Sequence, residues 1–254
     1  MQFIDTHAHV YELQNALPLV LERAQQNFIK KIYMPNIDET TIAKMMDVAA
    51  RYPCLPMMGI HPCHIRKDFT KQLYLVEEWL DKGGFIAVGE IGIDLYHDTA
   101  LFAEQQEAFR IQLSLAKRYH LPVSIHCRNA FKAVIPLLEA AQDDSLKGVI
   151  HCFTGNVQEA AKCVDLGFAL GIGGILTIPK SGLAATVAAI DLNHLVLETD
   201  SPYLTPVPLR GKPNEPSYLR YIAEKLAAVK AVSVAEVACI TTQNAEKIFG
   251  SCAD

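Results

Sequence analysis

Phe3-Ile4-Asp5-Thr6-His7-Ala8-His9 places two histidines on alternate residues at the end of a β-rich segment. The strand period of two predicts Asp5, His7 and His9 on one face, with Ile4, Thr6 and Ala8 toward covering helices. Two imidazoles so arranged can grip one metal ion, although a lone His-x-His is weak evidence. Four later segments end the same way. Glu90 follows the apolar run Phe85 to Val88, and His126 closes Pro122-Val123-Ser124-Ile125. His151 follows Val149-Ile150, and Asp200 follows Leu195-Val196-Leu197-Glu198-Thr199. A buried histidine is usually a core residue with its hydrogen bonds satisfied, and a carboxylate at a strand end is often a helix cap. Those readings work one at a time. They do not explain why strands 1, 4, 5, 6 and 8 all end in a metal-capable group, at the end where barrel enzymes build their sites.

The rest of the chain fits such a barrel. Strands are expected near 2–9, 30–35, 55–60, 85–92, 122–126, 148–153, 167–172 and 194–199. Helical patterns fall near 14–28, 39–50, 70–82, 102–119, 130–141, 156–165 and 180–189, and then near 215–231 and 233–249. Eight strands each followed by a helix predict a parallel sheet closing into a TIM (β/α)8 barrel. Phe102, Phe109, Leu113 and Ala116 recur near helical spacing, Thr40 and Thr41 are expected to cap the second helix, and Asn156 the sixth. No Pro/Ser-rich linker, low-complexity tract or charge block divides the chain, so residues 1–254 read as one domain.

Half of the 254 residues are apolar and the net charge is −5, which argues against a broad basic surface for duplex DNA. The seven cysteines (54, 63, 127, 152, 163, 239 and 252) are odd in number, widely spaced and without a Cys-x-x-Cys pair. That argues against a disulfide framework and against a cysteine-based zinc site, and fits a reducing cytosol. No apolar run approaches the roughly 20 residues that span a bilayer. The N-terminal stretch carries Asp5, His7 and His9 where a signal peptide needs a basic end and an apolar run, so a cytoplasmic protein is expected. Gly171-Ile172-Gly173-Gly174 is not a dinucleotide fingerprint, because its third glycine is misplaced and no helix start follows.

Further motifs run in order over nearly the whole chain: Gly59-Ile60-His61-Pro62, Gly89-Glu90-Ile91-Gly92-Ile93-Asp94, His151-Cys152-Phe153-Thr154-Gly155, Glu198-Thr199-Asp200-Ser201-Pro202-Tyr203 and Pro213-Asn214-Glu215-Pro216. With the segments ending at His9 and His126, they make the sequence resemble the TatD-type metal-dependent hydrolases (TatD-related deoxyribonucleases) of the amidohydrolase superfamily. Pro213 stands where that family usually has a basic residue, with Lys212 one position earlier. The resemblance implies that His7, His9 and Asp200 bind one divalent metal, that His126 and His151 bind a second, and that Glu90 bridges them. Such a pair lowers the pKa of a shared water, and Asp200 can take its proton. Imidazole and carboxylate together suit Zn, Mn, Ni or Co, while Mg prefers more oxygen.

His61 and His64 follow strand 3 on the same rim, where either can hold a phosphate or protonate a leaving oxygen. His97, His120 and His194 read as structural, and Cys127 and Cys152, one residue past expected ligands, as packing. Arg66, Lys67, Arg128, Lys132, Lys180, Arg210 and Lys212 all fall in or just after expected βα loops. Arg128, two residues beyond His126, is the best placed to meet a phosphate, and Tyr203 can stack a base or sugar or simply pack its loop. The expected substrate is DNA or another phosphodiester, cleaved on single strands or from an end. A metabolite amide, ester or lactone, or a mischarged tRNA, is the alternative for the same centre. Neither a membrane nor an obligate protein partner is expected. A scaffold with a vestigial site fits poorly, because buried unpaired carboxylates and imidazoles are costly without a metal.

Overall fold

Eight strands pair in parallel in chain order: β1 (Phe3–Asp5), β2 (Ile29–Pro35), β3 (Cys54–Met58), β4 (Ala87–Asp94), β5 (Val123–Arg128), β6 (Gly148–Ile150), β7 (Phe168–Ile172) and β8 (Leu195–Leu197). The computed structural model describes residues 1–97 and 99–250, so Cys252 lies outside the described residues. Helices alternate with the strands: α1 (Leu17–Gln26), α2 (Ile42–Arg51), α3 (Phe69–Lys82), α4 (Phe102–Arg118), α5 (Phe131–Ala141), α6 (Val157–Asp165) and α7 (Leu183–Ala188). After β8 come α8 (Leu219–Lys230) and α9 (Val234–Phe249). The ring closes between first and last strands. Thr6 N–H donates to the Leu197 carbonyl (3.1 Å) and Asp200 N–H to that of His7 (2.8 Å). The Asp5 carboxyl accepts from the Thr199 amide at 2.9 Å and hydroxyl at 2.6 Å. The architecture is the expected (β/α)8 barrel.

Its apolar residues form two layers. Ile4, Met57, Ala87, Val149, Ala169 and Val196, from six different strands, pack inside the ring against Ala245 and Phe249 of α9. A larger layer, including Met34, Met58, Val88, Ile125 and Leu170, fills the space between strands and helices. Phe109, Leu113 and Ala116 of α4 are buried there, as their spacing predicts. Among the described residues no single helix is long and apolar enough to cross a membrane.

Two local expectations are corrected. Ile4 belongs to the inner layer, so Asp5 faces the other way and does not share a face with His7 and His9. The strand stops at Asp5, and the period of two does not carry across Thr6. Burial pushes the Asp5 carboxyl up to about 8, against its hydrogen bonds from Thr199 and His7. Thr40 and Thr41 also fail to cap α2. The Thr41 hydroxyl accepts from the amides of Ile37 and Asp38, and that of Thr40 donates to Asp38. Asn156 does cap α6, in a reciprocal box with Glu159.

Candidate metal centre

Glu90 rises from the middle of β4 and is the hub of the site. Its Oε2 lies 3.2 Å from His7 Nε2 and 3.6 Å from His9 Nε2. Asp200 Oδ1 completes that side, 3.8 Å from His7 Nε2 and 3.5 Å from His9 Nε2. The other oxygen, Oε1, lies 2.9 Å from His126 Nδ1 and 3.0 Å from His151 Nε2. The six side chains therefore converge, five of them in two groups on either side of the Glu90 carboxylate, which sits inside β4 rather than at its end. Asp200 reaches inward from just beyond β8 by adopting φ +57°, a left-handed conformation that aspartate tolerates. Gly92 lets β4 and β5 approach closely here, since a Cβ at that position would lie 2.0 Å from the His126 carbonyl oxygen.

Hydrogen bonds behind the imidazoles fix which nitrogen faces the centre. The Tyr11 hydroxyl donates to the Pro35 carbonyl (2.7 Å), so it must accept from His9 Nδ1–H at 2.8 Å, leaving Nε2 with a free lone pair. His126 Nε2–H donates to Asp94 Oδ2 (2.9 Å) and presents Nδ1 to Glu90. His7 Nδ1 is paired with the Ser124 hydroxyl at 3.1 Å, and His151 Nδ1 lies 3.3 Å from Glu198 Oε1. His7, His9 and His126 thus each turn one nitrogen to a hydrogen-bonded anchor and the other inward, the arrangement that orients metal-binding histidines. His151 turns Nδ1 toward the Glu198 carboxylate without a hydrogen bond. His7 Nε2 is buried without a hydrogen bond, which is costly for a nitrogen unless a cation satisfies it. The donor set fits a divalent metal.

Electrostatics agree. Burial alone would raise Glu90, yet His151, His61, His7 and His126 hold its carboxyl well below the usual range. Burial opposes the charged forms of His126 and His151, but their carboxylate partners raise both, His151 the more strongly. His7 moves down, chiefly through burial. Glu90 is therefore ionised in the free protein, with protons on neighbouring imidazoles that a cation must displace.

The centre forms the floor of a cavity of about 610 Å³. His61, His64, Arg128 and Tyr203 all line it. His61 Nε2 lies 3.4 Å from Glu90 Oε1, and its Nδ1 accepts from the Cys63 amide at 3.1 Å, so the proton sits on Nε2. Burial pushes that ring down to about 4. His64 pairs with Asp38 at 2.7 Å. The Arg128 guanidinium carbon stacks 4.2 Å over the Tyr96 ring, and Tyr203 stands edge-on to His9 at 5.9 Å. Among the described residues Arg128 is the single Lys or Arg lining the cavity, so Arg66, Lys67, Lys132, Lys180, Arg210 and Lys212 do not converge there.

Three residues escaped the sequence reading. Asp94 sits four residues after Glu90 on the same strand, a spacing that places it on Glu90's face. Glu198 anchors His151 but has no local signal apart from its motif. His97, read as structural, lines the cavity and pairs with Asp94 at 2.9 Å. Asp94→Asn is expected to weaken metal affinity about 10–100-fold, because His126 loses its carboxylate anchor. Competition against a chromogenic chelator measures this, and an unchanged affinity would show that Asp94 does not orient His126.

Comparison with known proteins agrees with this geometry. A family model described as TatD related DNase matches residues 4–250. The Bacillus subtilis uncharacterized metal-dependent hydrolase YabD is 36% identical over 249 residues, covering 96% of this chain and 98% of its own. A Yersinia pseudotuberculosis protein named 3'-5' ssDNA/RNA exonuclease TatD is 33% identical over 238 residues, with 91% of this chain and 92% of its own covered. The crystal structure of YJJV, a TatD homolog from Escherichia coli K12, superposes with a TM-score of 0.92 at 31% identity over 98% of each chain. The chain belongs to the TatD-related DNase family and is a metal-dependent hydrolase.

Proposed function

We propose that the protein hydrolyses DNA phosphodiester bonds, on single strands or from an end, with two divalent cations held either side of Glu90. The observation that carries this reading is the split of the Glu90 carboxylate, one oxygen toward His7, His9 and Asp200 and the other toward His126 and His151. A cation pair supplies water of lowered pKa and neutralises charge building on the phosphoryl oxygens. Asp200 accepts the proton of the attacking water. His61, neutral with its proton on Nε2, donates a hydrogen bond to a phosphoryl or leaving oxygen. Zn, Mn, Ni or Co suits this set of imidazoles and carboxylates better than Mg. The family match and the Yersinia relative's name support the nuclease reading. A cavity of about 610 Å³ with one cationic side chain suits a nucleotide end better than long duplex. Hydrolysis of single-stranded, nicked and duplex DNA, compared with simple phosphodiesters across several metals, tests it. Turnover of simple esters alone would overturn it.

In this reading Arg128 holds the scissile phosphate and Tyr203 stacks a base. The Tyr96 ring keeps the guanidinium at the cavity mouth, where its planar fork can take two phosphoryl oxygens. Arg128→Ala is expected to lower kcat/KM on DNA about tenfold to a hundredfold, or about 1–3 kcal/mol. The loss should shrink at high salt and barely touch an uncharged ester. Equal losses on both substrates would assign Arg128 to the fold instead.

A further inference from the structure

Beside the Glu90 cluster, a second set of donor side chains opens onto the cavity. Cys63 lies in the short 3-10 turn Pro62–His64 after β3, Asp94 ends β4, and His97 follows three residues later. Cys63 Sγ is 3.8 Å from His97 Nδ1, and that nitrogen is 2.9 Å from Asp94 Oδ2. One donor atom from each of the three residues lies within 4.8 Å of the others. A tetrahedral zinc-type ion holds sulfur at about 2.3 Å and nitrogen or oxygen at about 2.0–2.2 Å, which sets its ligands roughly 3.3–3.7 Å apart. The Cys63–His97 separation lies just above that range and the His97–Asp94 separation, a hydrogen bond that an ion would replace, below it.

The backbone prepares this arrangement. Asp94 is fully buried, and its Oδ1 accepts from the amides of Tyr96 (2.8 Å) and His97 (2.9 Å). Oδ2 is thereby left to face His97. Cys63 and His97 both reach the cavity from exposed positions.

We propose that Cys63, Asp94 and His97 form a cation site separate from the Glu90 centre, taking a thiophilic divalent ion of the zinc class. Thiolate, imidazole and carboxylate together select such an ion over Mg or Ca. Three protein ligands leave a fourth position open toward the cavity, as in sites that exchange a ligand rather than closed structural ones. The thiol proton leaves to solvent as the ion binds. Asp94 Oδ2 also accepts from His126 Nε2–H, so the carboxylate that would hold this ion is the one that anchors His126 from behind. The site does not depend on which bond the enzyme hydrolyses.

Cobalt(II) titration of the whole protein tests it. Wild type is expected to develop a near-ultraviolet thiolate-to-cobalt charge-transfer band. Cys63→Ser should lose that band and one bound cobalt per chain while keeping its circular dichroism, and His97→Ala should weaken it. Zinc at ten times its Kd should also slow alkylation of Cys63 about tenfold, followed by peptide mass. No band at saturating cobalt, a band that survives Cys63→Ser, or alkylation indifferent to zinc would each reduce the group to an ordinary Asp–His pair with a thiol nearby.

Discussion

Glu90→Gln is expected to lower turnover by on the order of a thousandfold or more with the barrel intact. The amide keeps the size of the side chain but removes the charge that faces imidazoles on both sides. Metal ions supply several kcal/mol of transition-state stabilisation, and each 1.36 kcal/mol is about tenfold in rate. Glu90 is buried among five histidines, so its neutral replacement also leaves them without their shared counter-ion. Elemental analysis should find less metal per chain, while circular dichroism stays unchanged. Wild-type rate and metal content in the variant would remove Glu90 from the centre.

Stripping the cations should have the next largest effect. Hydrolysis is expected to stop in excess chelator and return on adding divalent metal. At 100 times Kd a bound ligand stabilises the fold by about 2.7 kcal/mol, which for this size corresponds to roughly 5–10 °C in Tm. Metal affinity should fall as the pH drops, because His126 and His151 have raised pKa values and must lose their protons when the ions bind. Activity persisting in chelator, with no metal detected in the protein, would refute metal dependence of this chain.

Much of the site was legible because a buried parallel strand reads as an apolar run, and a polar group closing that run stands out. Glu90, His126, His151 and Asp200 were visible in that way, and His7 and His9 by their alternation. The same alternation misplaced Asp5. A three-residue strand gives periodicity nothing to propagate along, and tertiary contacts with Thr199 set its direction instead. Thr41 misled for a similar reason. Its hydroxyl had closer amides to serve in the preceding turn than at the helix start. Anchors such as Asp94 and Glu198 act through a neighbour's ring, and one sequence carries little trace of that. The loop cations failed as a group because falling in a βα loop fixes the end of the barrel but not the direction of a long side chain.

The junction between the first and last strands has a consequence for the timing of activity. His7 and His9 meet Asp200 only where Thr6 and His7 hydrogen-bond to the segment 197–200. Half of the centre is therefore built on the seam of the barrel, from residues nearly 200 positions apart. A ribosome-bound chain that has not yet emerged beyond Asp200 holds His7, His9 and Glu90 without their partner, and cannot complete the centre. A hydrolase assembled in this way stays inert during its own synthesis. In the finished protein, fraying of the first few residues would silence it before the rest of the ring opens.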